Sequence, residues 1–141
     1  MNIIRSLQRK TECPFFYDYK TVQQALRFMR SHGCVQVPVV NQDGRYLGTV
    51  SEGDFLWHII DWGGYEAAKD HKIAELLRRG APLALKITAP DDELRRAALC
   101  GAVIPIVDDR GCLCGIVTRR SVILYLAEKD GWKRAETAVN E

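Results

Sequence analysis

Between Thr21 and Ser31 the apolar residues fall at Val22, Ala25, Leu26 and Met29, the spacing of an amphipathic helix, and Gly33 stands where a left-handed residue would stop it. The pattern then changes to a β-branched run, Val35, Val37, Val39 and Val40, interrupted by Pro38. Proline has no N–H to give to a ladder, so position 38 belongs at a sheet edge or where no ladder bond is required. Asn41-Gln42-Asp43-Gly44 has the composition of a hairpin loop. The short apolar strand after it gives way to a helix predicted from Gly53 to about Asp61.

The same order returns further down the chain. Pro38 and Pro105, Gly44 and Gly111, Gly48 and Gly115, and Ser51 and Thr118 are each 67 residues apart, without a gap between them. A period of this length marks a duplicated supersecondary unit rather than a heptad or a short solenoid repeat. Its second hairpin turns at Asp108-Asp109-Arg110-Gly111, and its last helix runs from Arg119 to about Glu128, with Val122, Ile123, Tyr125 and Leu126 as the apolar stripe. Trp62-Gly63-Gly64-Tyr65 reads as a connector, and Ile73 to Gly80 as a short helix with basic residues and glycine at its end. The stretch Ile4 to Lys10 echoes that helix. The copies differ most at the first helix: if Ala97 is the partner of Ala25, it lies 8 residues before its proline instead of 13, so one helix is shortened or shifted. The expectation is an α+β chain of two strand-helix-strand-strand-helix units, residues 1–66 and 67–141.

Composition narrows the functional classes. At 141 residues with 47% apolar content the chain has material for a real core. Twenty basic and 18 acidic residues leave a net charge of +2, which gives no reason to expect a surface built for nucleic acid. No charged-then-apolar leader opens the chain and no apolar run approaches the roughly 20 residues that span a bilayer, so a cytoplasmic protein without membrane insertion is expected. The five cysteines read as small core hydrophobes. Cys112 and Cys114 have no second pair or histidine beside them to complete a metal site, so none is expected. His32, His58 and His71 have no nucleophile pattern near them, which argues against an enzyme. Trp57, Trp62 and Trp132 read as core or interface aromatics.

The chemistry concentrates at two strand-to-helix junctions, Gly48-Thr49-Val50-Ser51-Glu52-Gly53-Asp54 and Gly115-Ile116-Val117-Thr118-Arg119-Arg120-Ser121. A hydroxyl and a carboxylate three residues apart across a helix start point the same way. Asp54 is placed to accept from vicinal ribose hydroxyls, and the helix N-terminus favours a phosphate nearby. Arg119 and Arg120 add two cations suited to phosphate oxygens. The plainer account is that Ser51, Thr118 and Asp54 are helix N-caps, each worth about 1 kcal/mol.

The strands through Val37-Pro38 and Ile104-Pro105, the Gly turns, the two junctions and their duplication resemble the CBS-domain family, two copies of which form a Bateman module. The resemblance covers essentially the whole chain. It implies two β-α-β-β-α repeats packed about a pseudo-twofold axis, with clefts between them for adenosine-containing ligands such as AMP, ADP, ATP, S-adenosylmethionine or cyclic di-AMP. It also implies ribose and phosphate roles for Ser51, Asp54, Thr118, Arg119 and Arg120, and base-flanking roles for backbone near Val37, Pro38, Ile104 and Pro105. No cofactor is required. Ser121 departs from the family pattern, since an aspartate is expected there, and the Thr-Arg-Arg junction without it is similar to small bacterial proteins that sense cyclic di-AMP. Glu52 beside Asp54 makes the first cleft more acidic. Together these imply a regulatory module that senses a nucleotide and signals to a partner protein by conformational change. The alternatives are a structural homodimerisation module without ligand and a cyclic di-AMP receptor. Exposed apolar residues on the helices after each hairpin would favour a homodimer.

Overall fold

The computed structural model describes residues 3–77, 84–129 and 131. The first repeat is built on β2 (Phe16–Tyr17), α2 (Val22–His32), β3 (Gln36–Val40), β4 (Tyr46–Ser51) and α3 (Glu52–Asp61). The second repeats this as β5 (Leu85–Lys86), α5 (Asp91–Cys100), β6 (Val103–Val107), β7 (Leu113–Thr118) and α6 (Arg119–Lys129). Before them lie a one-turn helix α1 (Ile3–Ser6) and β1 (Gln8–Arg9), and between them α4 (Tyr65–Ala68) and a 3-10 turn over Ile73–Leu76. The helix expected over Ile4 to Lys10 is therefore a single turn followed by a strand. The glycine stop expected at Gly80 lies outside the described residues. No helix among the described residues is long and apolar enough to cross a membrane.

Helix α2 forms where the apolar spacing places it. Thr21 and Gln24 make a reciprocal capping box, and Gly33 closes the helix at φ 65°, where only glycine sits without strain. Its inner face buries Val22, Ala25 and Met29, whereas α5 buries Leu94 and Ala98. Leu94 and Ala98 thus stand 69 residues from Ala25 and Met29, which corrects the pairing of Ala97 with Ala25. The helices have 11 and 10 residues, so the second copy is shifted by two positions and is not substantially shortened.

In the first sheet the strand order is β2-β3-β4, and in the second it is β1-β7-β6-β5. Both prolines therefore sit in interior strands, which overturns the sheet-edge alternative for Pro38. The other alternative explains them: β2 pairs in parallel only with Val39 and Val40, and β5 only with Ile106 and Val107, so neither two-residue neighbour reaches the proline. Each hairpin turns on an Asn or Asp and a glycine. Asn41 Oδ1 accepts from the N–H groups of Asp43 and Arg45, and Asp108 Oδ1 from those of Arg110 and Cys112, with Gly44 and Gly111 at φ 85° and 81°.

The pseudo-twofold is visible as paired hydrogen bonds. The Tyr46 N–H donates to Gly111 O and the Leu113 N–H to Gly44 O, both at 2.9 Å, and Arg45 bridges Cys112. Two apolar cores flank this axis. One holds Val22, Val37, Val39, Val50 and Phe55 together with Ile73 and Leu76 from the connector; the other holds Leu94, Ile104, Ile106, Val117 and Val122, with Leu7 packed against it. Flanking segments thus cross between repeats: β1, early in the chain, pairs antiparallel with β7, Gln8 opposite Ile116. Of the five cysteines only Cys13 is buried, and Cys100 is exposed, so the core reading holds for one of them. Trp57 and Trp62 are more than half exposed and are not core aromatics, while Trp132 lies outside the described residues.

Candidate functional site

A cleft of about 610 Å³ opens where the two repeats meet, within the range of roughly 300–1,000 Å³ that small-molecule sites occupy. The first repeat supplies Gln36 from β3, Tyr46, Thr49 and Ser51 from β4, and Asp54 from the first turn of α3. The second supplies Leu85, one face of α5, and Val103, Ile104 and Pro105 from β6. Ser51 and Asp54 from one copy thereby share a cavity with Ile104 and Pro105 from the proline strand of the other.

Local chemistry fixes the polar wall. Ser51 is the N-cap of α3: its N–H and hydroxyl both donate to Asp54 Oδ2, at 2.8 and 3.0 Å, and its oxygen accepts from the Asp54 N–H. The capping account is therefore correct for this pair, and the cap itself holds the carboxylate beside the cavity. Tyr46 and Thr49 share a hydroxyl bond of 2.8 Å, and burial pushes the Tyr46 phenol above its ordinary pKa, the Thr49 bond acting the other way. The phenol stays neutral at physiological pH. Gln36 Oε1 accepts from the Ala102 and Val103 N–H groups, tying β3 to the start of β6 across the cleft.

The opposite wall was not foreseen. Glu93 and Ala97, and Arg96 and Cys100, are each four residues apart, the spacing that aligns side chains along a helix, and all four line the cavity. In the sequence Glu93 and Arg96 have the pattern of an ordinary solvated face, and the inward pair Leu94 and Ala98 is the signal for the orientation of the helix.

The remaining candidates lie elsewhere. Val37 and Pro38 are buried, with Val37 in the first core, and neither lines this cleft. Thr118 repeats the cap, its Oγ1 accepting from the Ser121 N–H at 3.1 Å and sharing a 2.9 Å bond with the Ser121 hydroxyl. Arg119 Nε donates to Ala98 O at 2.6 Å and Gly101 O at 3.2 Å, so it clamps the C-terminal carbonyls of α5, and Arg120 is exposed. His58 Nε2 and His71 Nδ1 meet at 2.8 Å beside the Trp62 ring, which pairs one ring nitrogen of each histidine. No group of three His, Cys, Asp or Glu residues suited to a metal occurs among the described residues.

Comparison with known proteins follows this geometry. Residues 4–61 and 90–128 match the CBS domain family. A CBS domain-containing protein of Bacillus anthracis has TM-score 0.80 at 18% identity, over 92% of this chain and 94% of that one. CbpB in complex with c-di-AMP has TM-score 0.76 at 19% identity, over 91% and 85%. CBSX2 in complex with AMP has TM-score 0.74 at 19% identity, over 92% and 98%. At these identities the likeness is one of fold. A homoserine O-acetyltransferase of Methanohalophilus mahii is 28% identical over 107 residues, 72% of this chain, and the match spans only 20% of that protein.

Proposed function

The chain belongs to the CBS domain family, and from that premise we propose that it is a regulatory module that binds an adenine nucleotide in the cleft between its repeats. The observation that carries this reading is the shared cavity: the Ser51–Asp54 cap of one repeat faces Ile104 and Pro105 of the other. In this reading Asp54 accepts from the ribose hydroxyls, Arg96 meets a phosphate, and the base lies along Ala97, Ile104 and Pro105. Thr118, Arg119 and Arg120, with Val37 and Pro38, belong to the pseudo-symmetric cleft, where Ser121 offers no charge to a ribose. The complexes of CBSX2 with AMP and of CbpB with c-di-AMP support an adenylate as the ligand.

The module acts without making or breaking bonds. A ligand that binds one arrangement of the repeats better than another shifts the population towards it, and a partner protein reads the change. Leu56, Trp57 and Ile60 on α3 and Ile123 on α6 are all at least half exposed and offer a surface for a homodimer. The setting is the cytoplasm.

Thermal unfolding of the full chain with AMP, ADP, ATP, S-adenosylmethionine and cyclic di-AMP tests the reading. A ligand at 100 times its dissociation constant adds about 2.7 kcal/mol of stability. Asp54→Asn should abolish that gain for AMP. A response to cyclic di-AMP alone would select the second-messenger receptor, and no response to any compound would leave a dimerisation module without ligand.

A further inference from the structure

Gln36 reaches across the cleft from the first repeat, and its carboxamide has two unlike ends. Oε1 accepts from the Ala102 N–H at 3.1 Å and from the Val103 N–H at 3.2 Å. Those two bonds fix the orientation of the group, because the reversed amide would set its NH2 against two donors. Nε2 is therefore the free end, and it makes no hydrogen bond among the described residues.

The surroundings place that donor. Gln36 stands opposite Ser51 in the pairing of β3 with β4, so the two side chains leave the same face of the sheet, and both residues line the cleft. Val103, whose N–H Oε1 holds, is followed directly by Ile104 and Pro105 on the apolar side of the cavity. The amide thus lies between the Ser51–Asp54 cap and the apolar wall. A mostly apolar pocket orients its ligand through a few polar groups of this kind. The 67-residue period carries Gln36 onto Val103, which has no polar side-chain atom, so the pseudo-symmetric position offers no equivalent donor.

Resting on the adenylate reading above, we propose that Gln36 is a specificity-determining residue for the base: Oε1 is committed to the protein, and the Nε2 N–H donates to a ring nitrogen of the purine. With both lone pairs of Oε1 engaged, the residue faces the ligand as a donor only. A ring position that carries C–H in place of a lone pair gives Nε2 no partner and weakens binding. Latch and reader are opposite ends of one side chain, so a substitution can separate them.

The test is calorimetric titration of the full chain with AMP and with three analogues in which N1, N3 or N7 of the purine is replaced by C–H. Wild-type protein should bind one analogue about three- to tenfold more weakly than AMP, the scale of a single neutral hydrogen bond. Gln36→Glu keeps an acceptor on the Ala102 and Val103 N–H groups but turns a second oxygen towards the base, so it should erase or invert that ratio. Repulsion between the new charge and the ligand's phosphate is common to all four compounds and cancels in the ratio. Gln36→Met gives up both ends, and in it the ratio should fall to within about twofold. No discrimination among the analogues by the wild type, or the same ratio in the wild type and both variants, would overturn the assignment. Failure of AMP and every analogue to bind the wild type would overturn the adenylate reading itself, and the role of Gln36 with it.

Discussion

Single residues decide how closely the segments approach. Gly115 lies opposite Arg9 in the pairing of β7 with β1, and a methyl group there would overlap the Gln8 carbonyl oxygen and lie 2.9 Å from its carbon. Backbone cannot yield as a flexible side chain can, so Gly115→Ala should lower stability by about 1–3 kcal/mol and release β1, read from the urea midpoint and from faster amide exchange at residues 8–10. Asp108 gives a second residue-scale test. The Cys112 N–H foremost, then that of Arg110, holds its carboxyl below the usual carboxylate range. A depressed folded pKa contributes stability above the unfolded value of about 4 and loses it as pH falls through the folded value. Asn41 makes the same two bonds in the first hairpin without a charge, so Asp108→Asn should keep the turn and flatten part of the fall in urea midpoint between about pH 5 and pH 2. Asp91, lowered chiefly by its bond to Lys129, contributes acid sensitivity of the same sign. Among the candidate site residues, Ser51 and Asp54 were legible because the glycine, strand and hydroxyl of the junction recur at a fixed offset and the carboxylate stands three residues after Ser51. Glu93 and Arg96 were not, because a charge beside a cavity and a charge in water have the same sequence signature.

At the scale of elements, the helices were legible and the shortest strands were not. Thr21, Gln24 and Gly33 announce both ends of α2 by chemistry that needs no tertiary contact. β1, β2 and β5 hold two residues each, too few for an alternation to show, and they exist only because a longer strand offers them a ladder. The same holds for the role of Arg119, which followed from phosphate chemistry in the sequence and turns out to bind helix carbonyls. Arg119→Ala should fray the last turn of α5 and cost about 1–2 kcal/mol, with Lys failing to restore it because it has no N–H at the position of Nε, the one group that reaches both carbonyls. Chemical denaturation and helical circular dichroism check this, and an unchanged midpoint would assign the arginine to a ligand alone.

For the whole molecule, the repeats are bound too closely to behave as two domains. The reciprocal bonds of Gly44, Tyr46, Gly111 and Leu113, and Gln36 reaching Ala102 and Val103, cross the axis between the cores. Phe55→Ala in the first core and Leu94→Ala in the second should therefore each lower one common transition, by about 3–5 and 2–5 kcal/mol. Fluorescence and far-ultraviolet circular dichroism should trace the same curve, and two separated transitions would mean independent repeats. The duplication that made the twofold plain in the sequence says nothing of the crossing segments, since those lie outside the repeated motif.

The pairing of Gln8 with Ile116 carries a consequence for biosynthesis. β1 must wait for a mate translated over a hundred positions later, so the second sheet cannot close until β7 has left the ribosome. Until then, Leu7 and its neighbours travel without their cover, and this interval is when the nascent protein is most open to chaperones or to misassociation.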